Sequence, residues 1–177
     1  VLTRVGGMMV AFGSGRNVTK ADENNRNVQT LYSVLDNTRY RLNSDKRLEI
    51  HPGGGTCTPP KADCVPAPKP LGAGTAGLEQ RTIEAAGKAG QGRVMAENDI
   101  NWASQNGWYL DYPETGERQL KPMEFYDGSN LMKVFSQVPA KGSDAQEGVE
   151  SCESGSVDEE RQYQTYINIM DGKRPSV

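Results

Sequence analysis

Large aromatic residues are scarce, three Phe and two Trp among 177 residues, so any core must rest on Val, Leu, Ile, Met and the seven Tyr. Such a core is modest and carries much loop. Histidine is nearly missing: His51 is the only one. It stands beside Pro52 and the glycines 53–55, a setting unsuited to holding a general base within the tolerance catalysis demands, and it reads as a surface residue. No serine lies in a G-x-S-x-G elbow, and Gly13-Ser14-Gly15-Arg16 lacks the lysine and the spacing of a phosphate loop. These absences point away from an enzyme. Charge of one sign is also missing, with 20 Lys plus Arg against 23 Asp plus Glu for a net charge of -3 and no block beyond Asp158-Glu159-Glu160, which argues against a nucleic-acid partner. No run approaches the roughly 18 apolar residues that a membrane-spanning helix needs.

What is present begins with glycine: 20 of them lift the apolar tally from 35% into the range of chains that fold. Length favours one domain over residues 1–177. The chain starts at Val1 without an initiator Met and soon meets the apolar run Met8 to Phe12, the pattern of a fragment or processed product whose export signal, if any, lies outside it. Three cysteines occur, Cys57, Cys64 and Cys152. In CTPPKADC the two prolines turn the chain back on itself, so a local Cys57–Cys64 disulfide is the first reading, contributing roughly 2 kcal/mol because the ring is small and already stiff. Zinc is the rival, but it requires His51 and Cys152 to complete a set that lacks the usual C-x₂₋₄-C pair. A disulfide implies an oxidising compartment and leaves Cys152 as a free thiol or bonded elsewhere.

Hydrophobic alternation runs at period two. Val28, Thr30, Tyr32 and Val34 fall on one side and Gln29, Leu31, Ser33 and Leu35 on the other, the mark of a strand. Apolar residues on both sides predict an inner strand covered on both faces. Further strands are predicted at Met8 to Phe12, Leu78 to Ala85, Arg93 to Glu97, Trp108 to Asp111, Glu117 to Leu120, Leu131 to Val138 and Gln162 to Met170, with turns at Asp127-Gly128 and Asp171-Gly172. Leu78 to Ala89 also fits a helical face, but the glycines at 87, 90 and 92 favour a hairpin. Residues 52–77 are Pro, Gly, Ala and small polar residues and read as an inserted surface loop, and residues 139–160 as a second, polar loop. The sum is an all-β chain of about eight strands, too few for a closed propeller of four-stranded blades.

Three segments, in order, resemble one family. MMVAFGSGRNV followed by VQTLYSVLD, then NGWYLDYPETGERQLKPMEF, then LMKVFSQVPA with Cys152 and the closing INIMDGKRP are similar to the C-terminal region of the PilY-type, type IV pilus tip-associated proteins. The resemblance covers most of the chain outside residues 41–77 and rests on Gly13, Gly15, Arg16, Trp108, Tyr109, Asp111, Gly116, Glu117 and Arg118. It implies a partial, modified β-propeller, about two blades of antiparallel strands with long irregular loops. It also implies an exported protein at the cell surface, pilus tip or outer membrane, supporting pilus biogenesis, twitching motility and surface attachment as an adhesin. The implied partners are the remaining blades of the same propeller, pilin or minor pilin subunits, and host-surface or abiotic ligands. The family's calcium loop has no match in this chain, so no cofactor is expected here and calcium only elsewhere in a full-length protein. Asp22 to Asn27 comes nearest, but Arg26 places a cation at a ligand position, leaving a solvated turn.

The remaining candidates have plain readings. Trp102, Trp108 and Tyr109 suit a core more than a sugar platform, since something must be buried. Arg16 and Arg118 are expected to pair at the surface with acids such as Asp36 or Asp111, with little effect. Asn17-Val18-Thr19 matches a glycosylation acceptor without meaning in a bacterial protein. Two other functions stay open: a carbohydrate-binding module, and a fragment of a quinoprotein-like propeller enzyme whose site lies on other blades.

Overall fold

A computed structural model of the chain describes residues 7–51, 74–85, 94–95, 98–139 and 160–175. They form twelve strands and one short helix: β1 (Met8–Gly13), α1 (Lys20–Glu23), β2 (Thr30–Asp36), β3 (Tyr40–Leu42), β4 (Leu48–Ile50), β5 (Glu79–Arg81), β6 (Ile83–Ala85), β7 (Val94–Met95), β8 (Gly107–Asp111), β9 (Arg118–Gln119), β10 (Glu124–Phe125), β11 (Leu131–Val138) and β12 (Arg161–Asn168). The protein is mostly strand with little helix, as the alternation predicted, in several sheets of which none closes.

The first sheet has the order β1-β2-β8-β5. β2 is its inner strand, antiparallel to both β1 and β8, with Phe12 opposite Tyr32 and Tyr32 opposite Tyr109. β5 joins the far side parallel to β8, a departure from the uniformly antiparallel arrangement expected. In the second sheet β11 pairs β12 along its whole length, while β9 and β10 share its other side. The register shifts between β9 and β10. Pro122 lies in that interruption, where a residue without an N–H breaks a ladder.

The core lies between these two sheets. β11 shows clean period two, with Met132, Val134, Ser136 and Val138 inward. Met132 and Val134 join Ile167 of β12, Leu31 and Leu35 of β2, Met9 of β1 and Trp108 and Leu110 of β8. Trp108 is 0% exposed. Its indole N–H and the Ser33 hydroxyl both donate to the Ile169 carbonyl, at 3.0 and 2.7 Å, tying the first sheet to the turn that ends β12.

Several expectations change. β2 is an inner strand within its sheet, and its second face is covered only in part: Thr30 and Val34 are buried and Tyr32 half-buried, while Met8, Val10 and Phe12 of β1 beside them are exposed. The predicted strand over residues 78–85 divides at Thr82 into β5, which pairs β8, and β6, which pairs β7 as the expected hairpin. The hairpin β3–β4 was hidden in a polar stretch. Its turn is built by Asn43, whose side-chain oxygen accepts from the Asp45 and Arg47 N–H groups, an Asx arrangement. Cys57, Cys64, Cys152, most of the 52–77 loop and nearly all of the 139–160 loop lie outside the described residues.

Candidate interaction surface

The FGSGR segment and the GER segment, far apart in sequence, meet around one side chain. Arg118 is 1% exposed, and its guanidinium donates to four backbone carbonyls: Gly116 at 3.0 Å, Arg16 at 2.8 Å, Asp22 at 2.7 Å and Asn25 at 2.6 Å. Arg118 is thus no surface ion-pair partner of Asp36 or Asp111. The planar five-donor fork of arginine meets several carbonyls at once, and here it serves carbonyls of a loop that has no strand partner. Gly15 permits the approach: with φ at +119°, a Cβ there would fall 2.5 Å from the Arg118 Cβ. Gly13 is pressed in the same way against the Gln119 side chain, and Gly116 against Arg26.

Arg16 pairs with Asp22, Nε to Oδ1 at 2.7 Å. The other Asp22 oxygen accepts from the Thr19 and Val18 N–H groups and the Thr19 hydroxyl. Asp22 is 2% exposed, so the segment expected as a solvated turn holds a buried anchor. The Thr19 N–H bond, then Arg16, hold the Asp22 carboxyl well below the usual carboxylate range. Its folded value lies under the ordinary 3.8, so its contribution is complete above about pH 4 and drains away as the pH falls further. Asp22→Asn is therefore expected to lower the denaturation midpoint at pH 7, and the gap from wild type should narrow towards pH 2. Urea melts at the two pH values measure it; a gap that stays constant contradicts the assignment.

Asp111 instead accepts from the Thr30 hydroxyl at 2.6 Å, and Asp36 caps the Thr38 N–H. Glu117 is 0% exposed and accepts from the Ser136 hydroxyl, joining this region to β11. Nothing in the one-dimensional pattern marks Ser136 or Asn25 as partners.

A second buried arginine, Arg81, differs in kind. It is 1% exposed, and one terminal nitrogen donates to the Asn98 carbonyl. Its Nε and Nη2, the side-on fork, have no hydrogen-bond partner among the described residues. Burial lowers its pKa, while Glu79, Asp171 and Asp99 oppose the shift, and a guanidinium stays charged at any ordinary pH. A charge desolvated with incomplete compensation is a net cost, and an apolar replacement of similar volume is neutral or favourable. Arg81→Met is expected to keep or raise stability, by up to about 3 kcal/mol; a clear loss in thermal melts would show that the fork has a partner in solution.

The open face of the first sheet carries an aromatic ladder. Phe12 and Tyr32 stack with centroids 5.1 Å apart and 22° between planes, and Tyr32 and Tyr109 at 6.4 Å and 29°. Near-parallel rings at 5.1 Å must overlap face to face, since side-by-side rings cannot approach so closely. The Phe12 and Tyr32 faces are therefore turned to each other. Trp108 is buried beneath the sheet and Trp102 packs against the core, so neither joins this surface as a sugar platform. The hairpin β3–β4 adds another apolar row: Tyr40 opposite Ile50 and Leu42 opposite Leu48, all exposed, with the Arg41–Glu49 pair on the reverse side. An isolated hairpin is at best marginal in water.

Among the described residues no group of three or more His, Cys, Asp or Glu is placed to hold a metal ion, and no helix is long and apolar enough to cross a membrane. The Asp22 carboxylate is occupied by Arg16, Thr19 and Val18. No family profile, curated protein or solved structure matches this chain.

Proposed function

We propose that this chain is a non-catalytic interaction module of an exported cell-surface protein. In this reading it is the terminal part of a PilY-type β-propeller, supporting pilus assembly, twitching motility and surface attachment by displaying loops on a β-scaffold. One observation carries the reading. The first sheet buries one face in the core and on the other leaves Met8, Val10 and Phe12 exposed beside the half-buried Tyr32 and Tyr109, as a blade does where the next blade leans on it. Continuous apolar surface of this kind marks an interface. The interlocking of FGSGR with GER around Arg118 supports it further, because the resembling residues occupy positions where packing admits few alternatives. The parallel pairing of β5 with β8 departs from a standard antiparallel blade, and on this reading the propeller is a modified one.

The test is expression of residues 1–177 alone and joined to preceding propeller sequence. Alone, the chain should self-associate and melt without cooperativity; joined, it should be monomeric and melt in one transition. A monomeric, cooperatively unfolding isolated chain would sink the reading. Phe12→Ser with Tyr32→Ser should reduce the self-association of the isolated chain and weaken the joined one.

A further inference from the structure

Among the described residues the outer edge of β1 is unpaired. Ser14 N–H donates to the Thr30 carbonyl, which fixes the antiparallel β1–β2 phase: Met8, Val10 and Phe12 bond to β2 through their backbones, and the N–H and C=O groups of Met9 and Ala11 point away from it. Among the described residues no strand takes them up. Met9, Val10 and Ala11 line a cavity of about 320 Å³ together with Met123, Glu124, Phe125, Met132 and Ile169. That lining includes β10, itself the last strand of the second sheet. The groove thus runs between two edge strands, one from each sheet.

From this geometry we infer that the groove is a β-augmentation site for an extended segment of another protein, one with alternating apolar side chains and a lysine or arginine among them. The outward backbone donors and acceptors of Met9 and Ala11 are satisfied best by an extended strand, and edges left open in this way are templates for one. Met9, Met123 and Met132 line the space, and flexible thioethers adapt to varied apolar side chains. Glu124 is the only charged residue among those lining it, exposed and only loosely paired with Lys133 at 3.8 Å, so the entering strand gains from a cation. A second copy of this chain is disfavoured by the same group: two-fold pairing of β1 edges would bring two Glu124 carboxylates to one groove. The inference stands on the groove, independent of the propeller reading and of the open face of the sheet.

The probe is a blocked, fluorescein-labelled heptapeptide of alternating valine and threonine with a central lysine. It is titrated by anisotropy against the longest soluble form of the protein that contains this chain. Binding is expected, with the Met9 and Ala11 amides slowed in hydrogen exchange at saturation by about tenfold or more. A central glutamate in the peptide should weaken binding by about tenfold, and Glu124→Lys, on an exposed side chain, should reverse that preference. A peptide with proline at alternate positions should not bind. Absence of binding at millimolar peptide, binding without protection of Met9 and Ala11, or protection of those amides by a protein dimer in sedimentation would each overturn the inference.

Discussion

Arg118→Ala is expected to abolish cooperative folding of this chain joined to preceding propeller sequence, the form expected to melt in one transition. The guanidinium serves four carbonyls drawn from residues 16, 22, 25 and 116, and its removal leaves buried acceptors without donors. Hydrogen bonds from a charged group contribute about 1.5–3 kcal/mol each and are not additive. A loss of about 3–5 kcal/mol is reasonable for dismantling a buried charged network. That approaches the total of about 5–15 kcal/mol that holds a domain together. Arg118→Lys should rescue little, because a single ammonium cannot reach carbonyls spread around the fork. Far-UV circular dichroism and a urea melt decide it: a variant with the wild-type midpoint would mean that the carbonyls find water or other donors.

Trp108→Ala should destabilise by a similar amount, about 3–5 kcal/mol, the range for deleting a large aromatic from a packed core. Trp108 packs beneath the first sheet and against the turn that closes β12, where a Cβ on Gly172 would fall 2.7 Å from the indole. Its loss also frees the Ile169 carbonyl from one of two donors. Trp108→Phe separates the contributions: most of the volume stays and the N–H goes, so the cost should fall to about 1–2 kcal/mol. Gly172→Ala, with φ at +67°, should move stability in the same direction through strain and overlap. Thermal melts of the three variants should rank Ala lowest at position 108; equal melting of Ala and Phe would show that packing is not the main term.

The long strands were legible because they alternate. Residues 131–138 were read with the observed bounds and β2 within two residues, since burying one face of a pleated strand imposes period two on the sequence. The turns at Asp127-Gly128 and Asp171-Gly172 followed from residues that tolerate positive φ, and three of the four, Asp127, Gly128 and Gly172, adopt it. The missed strands are short and exposed. β3, β4 and β10 lie outside the core cluster, so no burial wrote a pattern into them, and the count rose from about eight to twelve.

The polar interior was not legible. Arg16, Arg118 and Asp22 read as surface charges because charged residues usually are, and only the return of the 16–25 loop onto β9 turned Arg118 into its internal donor. Arg81 gave no sign either: its burial depends on the parallel docking of β5 on β8, a pairing of distant segments that local periodicity cannot encode.

By itself, then, the sequence determined a β-rich chain, the phase of its main strands and the places where it turns, because those follow from alternation and from the local conformational preferences of a few residues. Among the described residues, tertiary structure alone decided which strands are neighbours, that β5 runs parallel to β8, that Arg81 and Arg118 are buried, and that the outer edge of β1 is left unpaired beside a cavity. Those features arise from contacts between residues far apart in the chain, and their energies belong to no single segment.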